Sequence, residues 1–114
     1  MKLTRFEEAL PYIAPNHYDM RSLRLQGFEV DGPKAFWVGA SHFLPGGGAG
    51  PDTSPLEKVY VMLAGELTIT VNGLDTILNP KDSCTIPGGE ERTVKNNSND
   101  VASMIVIMPY LAKT

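Results

Sequence analysis

Two short blocks of this sequence hold the side chains best suited to chemistry. In the first, five residues separate Gly46 from Asp52, one separates Asp52 from Ser54, three separate Ser54 from Lys58, and six lie before Gly65. In the second, Lys81 is followed after five residues by Pro87, and then Gly89, Arg92 and Asn96 come after one, two and three intervening residues. An arginine fork and a lysine point charge brought together would clamp an anionic group, whether carboxylate, enolate or phosphate. At a separation of ~6 Å and an effective dielectric of ~20, the two cations repel by roughly 3 kcal/mol. That repulsion presses Lys58 toward a lowered pKa unless Asp52 or a bound anion offsets it. A partly neutral lysine is a general base or a Schiff-base nucleophile, so catalysis and simple anion binding both follow from the same pair. The bland alternative is a salt-bridged rim with no ligand.

Lys58, Tyr60 and Met62 alternate along one strand and share a face. Tyr60 offers a hydroxyl for hydrogen bonding or proton movement, and Met62 an adaptable apolar wall, although both types serve a core equally well. His42 shares a face with Phe36, Val38, Ala40 and Leu44, while Trp37, Gly39, Ser41 and Phe43 occupy the other. With the first face inward, His42 projects near Lys58 and Arg92 and acts as a general acid or base. With the second inward, it is a hydrogen-bonded core or rim residue. If the two blocks converge, the candidate catalytic set is Lys58, Arg92, His42 and Tyr60, and the candidate ligand-binding set is Asp52, Ser54, Lys58, Arg92 and Met62. His17 lies in a proline-rich N-terminal arm and reads as surface. Cys84 has no base in its sequence neighbourhood and reads as a buried, inert thiol.

Short strands must position these groups. Segments rich in β-branched and aromatic residues run over Phe36–Leu44, Val59–Leu63, Leu67–Val71, Ser83–Ile86, Thr93–Lys95 and Val101–Met108, with an earlier strand over Arg21–Val30. Asn72-Gly73 is a hairpin signal, since both central residues of a tight primed turn need positive φ. Gly46–Gly50 lacks the ending of a phosphate-binding loop and reads as a flexible loop at a barrel mouth. Helix is nearly absent: Thr4 and Glu7 form a capping box for a single turn that Pro11 ends. Without a linker or an internal repeat, one domain is expected over residues 1–114.

The two blocks, at 46–65 and 81–96, resemble the two cupin motifs, G(X)5HXH(X)3E(X)6G and G(X)5PXG(X)2H(X)3N, except that Lys81 stands where the family has glycine. The resemblance implies an all-β, cupin-type double-stranded β-helix, a jelly-roll barrel with a short N-terminal arm. Many single-domain cupins pair through a sheet face. Here Lys58–Gly65 is apolar on both faces, and Ile105–Met108 is unbroken apolar, so a homodimer is expected. Metal-binding cupins use His, His, Glu and His where this chain has Asp52, Ser54, Lys58 and Arg92. Divalent transition metals favour imidazole, thiolate or carboxylate, so no metal and no other cofactor is expected.

Composition narrows the partners. The 114 residues carry 10 Lys+Arg against 13 Asp+Glu, a net charge of −3, which argues against a nucleic-acid binder. A hydrophobic share of 42% suffices for a packed core, no apolar run reaches membrane-spanning length, and one cysteine rules out an internal disulfide. A cytoplasmic location is the default expectation. The function expected from the sequence is a small-molecule-binding cupin lacking the usual metal site, with an anionic organic ligand between Lys58 and Arg92. It is either a metal-independent isomerase, cyclase or decarboxylase, or a non-catalytic sensor or carrier. The remaining alternative is a metal-dependent dioxygenase or isomerase with atypical ligands.

Overall fold

The computed structural model describes residues 1–111. Nine strands follow one another: β1 (Leu10–Tyr12), β2 (His17–Gln26), β3 (Phe36–Thr53), β4 (Lys58–Ala64), β5 (Leu67–Val71), β6 (Leu74–Leu78), β7 (Ser83–Ile86), β8 (Glu91–Lys95) and β9 (Ala102–Pro109). They form one antiparallel, nearly closed barrel with the order β6-β5-β8-β3-β9-β4-β7, to which β2 and then β1 are added along β3. The only helical turns among the described residues are two short 3₁₀ segments, Phe6–Glu8 and Phe28–Val30. The all-β jelly-roll expectation is met.

β3 is the spine. Over its 18 residues it pairs with β9 through Phe36–Phe43 and then with β8 through Gly48–Thr53, so one strand serves both halves of the barrel. The segment Gly46–Gly50 is therefore strand, not the flexible loop that its composition suggests. Its glycines serve close approach: a methyl group on Gly47 would overlap the Asp19 carbonyl, and one on Gly48 the Val94 carbonyl. Gly46 N–H donates to the Asn96 carbonyl at 2.9 Å, and Asn96 N–H returns the bond to Gly47.

Other local readings are confirmed or corrected by backbone conformation. Asn72 (φ 51°) and Gly73 (φ 74°) form the positive-φ turn of the β5–β6 hairpin, with Val71 opposite Leu74. The early strand starts at His17 and stops at Gln26, because Gly27 (φ 98°) and Phe28 (φ 50°) turn the chain out of the sheet. No capping box forms at the N-terminus; the Phe6–Glu8 turn has no side-chain cap, and the Thr4 hydroxyl instead accepts a bond from the Gln26 amide at 3.4 Å. Lys81 adopts φ 75°, the left-handed region, which explains why glycine suits that motif position.

Strand alternation sorts side chains into the barrel. Phe43, Met62, Leu67, Val94 and Met104 are its largest fully buried apolar residues. Burial of each such side chain is worth about 1.5–3 kcal/mol. On β4 the alternation also turns Lys58 and Tyr60 inward, and on β8 it turns Arg92 inward beside Val94.

Candidate functional site

A cavity of about 270 Å³ occupies one end of the barrel, and Asp52, Ser54, Lys58, Tyr60 and Arg92 all line it. Each comes from a different constraint. Lys58 opens β4 and Tyr60 follows one pleat later. Asp52 on β3 lies directly opposite Arg92 on β8, so the two project to the same face. Ser54 is held by the turn that precedes β8: Gly89 N–H donates to the Ser54 carbonyl at 2.7 Å, and the Ser54 hydroxyl accepts from Leu56 N–H at 3.1 Å.

The two cations are sealed in, with only 5% of Lys58 and 4% of Arg92 exposed. Neither forms an ion pair; among the described residues the single one is Arg24 with Glu29 at 3.2 Å. Arg92 Nε donates to the Tyr60 hydroxyl at 2.8 Å, while its buried Nη1 has no hydrogen-bond partner. Burial first, then the Arg92 charge, pulls the Lys58 pKa down, and Asp52 pulls it partly back. Burial raises the Tyr60 pKa against the opposing influence of Arg92, so the phenol stays protonated.

This donor set does not suit the family's metal. Asp52 is the one anionic oxygen donor at the motif positions; Lys58 presents a cationic nitrogen where a glutamate would coordinate, and Arg92 one where an imidazole would. Among the described residues no group of three or more His, Cys, Asp or Glu side chains could hold a metal ion.

Two candidates fall elsewhere. His42 does not line the cavity, because Trp37, Ser41 and Phe43 take the inner face of β3. It points outward, with Nδ1 at 2.8 Å from the Ser103 hydroxyl and the Phe6 ring edge-on at 5.9 Å. The bulkier Trp37 and Phe43 decide which face is buried, at 8% and 1% exposure. Met62 is sealed in the core and does not line the cavity. Cys84 is half-buried, and burial raises its pKa, which suits an unreactive thiol.

Other residues of the cavity escaped the sequence reading. The segment Tyr12–Pro15 and His17 fold over its mouth. Arg24 also lines it, its guanidinium 3.6 Å from the centroid of Tyr12 and 4.0 Å from that of Phe28, a cation–π stack worth about 0.5–1 kcal/mol per ring. The cluster of aromatics near the N-terminus was the available signal, but its contact with the site depends on β1 and β2 folding back along β3.

A jelly-roll barrel whose two motif blocks converge on a cavity defines the cupin class, and the cupin-domain family matches residues 40–108; the chain belongs to that family. Its sequence is 42% identical over 110 residues to the Beta-D-galactosidase Rv1717 of Mycobacterium tuberculosis, covering 96% of this chain and 95% of that one. The polyketide cyclase RemF from Streptomyces resistomycificus has the same fold at TM-score 0.85 and 18% identity, covering 99% of this chain and 88% of that one. An RmlC-like cupin from Shewanella frigidimarina matches at TM-score 0.79 and 14% identity, over 99% and 94% of the two chains. At these identities the two structures speak for the fold alone. No helix among the described residues is long and apolar enough to cross a membrane.

Proposed function

We propose that this cupin is a metal-independent enzyme for a small organic substrate held between Lys58, Arg92 and Asp52, with galactosides, neutral or acidic, as the substrate class. The observation that carries this reading is that Arg92, whose buried Nη1 has no hydrogen-bond partner among the described residues, lines a cavity that Lys58 also lines. An unsatisfied buried donor costs about 1–3 kcal/mol, and a ligand oxygen would relieve that cost. The arginine fork spans two neighbouring oxygens, Lys58 supplies a third donor, and Asp52 accepts from a hydroxyl. At about 270 Å³ the cavity is smaller than a drug-sized pocket and suits one sugar ring. The name of the mycobacterial relative supports the galactoside class. Two buried cations against one carboxylate favour a substrate that carries an acid group.

The test uses nitrophenyl β-D-galactoside and nitrophenyl β-D-galacturonide after exhaustive chelation. Turnover of at least one should persist with chelator and fall at least 100-fold in Arg92→Ala, in line with the loss of a charged hydrogen bond of about 3 kcal/mol. A preference for the galacturonide marks the acidic substrate; turnover abolished by chelation, or absent with both, contradicts the proposal.

One observation favours a second reading, a non-catalytic carrier of a small organic anion. Glycoside hydrolysis ordinarily uses two carboxyl groups, and among the described residues Asp52 is the sole carboxylate lining this cavity. Ligand-induced thermal stabilisation without turnover identifies a carrier. The proposal also places the protein in the cytoplasm as a homodimer. The pairs Val59–Ile107 and Val61–Ile105, half-buried on the outer face of β4 and β9, support the dimer, which light scattering tests.

A further inference from the structure

His17 opens β2 from the N-terminal arm, opposite Ala49 of β3, and lines the cavity together with Asp52, Lys58 and Arg92. Its Nδ1 lies 2.7 Å from the Pro15 carbonyl. A carbonyl only accepts, so Nδ1 carries the proton and the neutral ring keeps its lone pair on Nε2. Among the described residues nothing hydrogen-bonds to Nε2. The same pairing fixes the ring's tautomer and orientation, which is how a proton-accepting histidine is commonly set.

We propose that His17, locked by Pro15 in the Nδ1–H form, is the base of this cavity and takes a proton at Nε2 during turnover. The inference rests on the enzymatic reading above and adds a residue to it. On a galactoside, Nε2 takes a proton from water as the water oxygen bonds to the anomeric carbon. The glycosidic C–O bond breaks, its electron pair stays on the leaving oxygen, and the Lys58 ammonium protonates that oxygen. Solvent then returns the His17 proton to Lys58, closing the cycle without an oxidant, a reductant or a metal. The electrostatics favour a free base. Burial and the charges of Arg92 on β8 and Lys58 on β4 lower the His17 pKa, and only the Pro15 carbonyl and Asp52 on β3 oppose them.

The chain has two histidines, so ¹⁵N imidazole NMR with His42→Gln as the assignment control reads His17 directly. The expected result is an Nδ1–H tautomer that titrates below the ordinary histidine value of about 6.5. An Nε2–H tautomer, or titration at or above that value, overturns the proposal with or without a known substrate. His17→Asn keeps an amide donor for Pro15 but removes the base. It should lower kcat by about 10²–10⁴-fold with KM little changed and abolish the acid limb of the pH profile. An unchanged kcat or a surviving acid limb contradicts the assignment. Absence of turnover in the wild-type chain overturns the enzymatic reading and the base role with it, whereas turnover by a chain whose His17 is Nε2–H overturns the base role alone.

Discussion

The second motif leaves two buried polar side chains at the two ends of β8, and the fold treats them in opposite ways. Asn96, just past the strand, is fully buried, and its amide is satisfied on both sides. Nδ2 donates to the Phe43 carbonyl at 3.0 Å and the Asp100 carbonyl at 2.8 Å, while Oδ1 accepts from the Ser98 backbone at 3.0 Å and the Ser98 hydroxyl at 2.7 Å. Arg92, four residues earlier, is almost as deeply buried, yet among the described residues its side chain bonds to Tyr60 alone and its Nη1 has no partner. A polar group with every bond made within the chain is architecture. One left short of partners beside a cavity costs stability, and under the proposed function Arg92 is retained for what enters that cavity.

Four experiments sharpen or break this contrast. The largest stability loss should come from Asn96→Ala, which strands the Phe43 and Asp100 carbonyls and the Ser98 donors: about 3 kcal/mol in denaturant unfolding, with ligand affinity unchanged. A loss under about 1 kcal/mol would erase the architectural half of the comparison. Tyr60→Phe removes the one protein partner of Arg92 and should cost about 1–1.5 kcal/mol while weakening substrate binding, read by unfolding and by KM.

Stability against pH isolates Lys58. Its folded-state pKa is lowered, so between that value and the ordinary lysine value of about 10.4 the unfolded chain binds more protons. Stability therefore climbs with pH through that window, and Lys58→Met should flatten the climb. Tyr60, whose pKa is raised, acts in the opposite sense only above about pH 10. The smallest effect belongs to Lys81→Gly. Relief of its left-handed backbone, set against the entropy of glycine, should add about 0.5–1 kcal/mol and leave turnover alone.

Much of this architecture is written locally in the sequence. The β5 and β7 boundaries and the Asn72-Gly73 turn follow from periodicity and turn chemistry, which act over a few residues; the convergence of Lys58 and Arg92 is legible only through the resemblance of the two blocks to the cupin motifs. What escaped depends on distant packing. His42 and Ser41 are equally placed by alternation, and only the burial of Trp37 and Phe43 chooses between them. The Gly46–Gly50 run has loop composition, yet the backbones of β2 and β8 crowd it into a strand. His17 reaches the cavity because β2 pairs with the far half of β3, a contact spanning His17 to Ala49 that no local pattern announces.

Equilibrium unfolding of Arg92→Met without ligand tests the central contrast most directly. Methionine fills much of the same volume and removes a buried cation that has no ion-pair partner. Stability should hold within about 1 kcal/mol of wild type or rise, as when buried charges give way to apolar side chains. A loss of about 3 kcal/mol or more, matching Asn96→Ala, would show that Arg92 is held for the fold and not for a ligand.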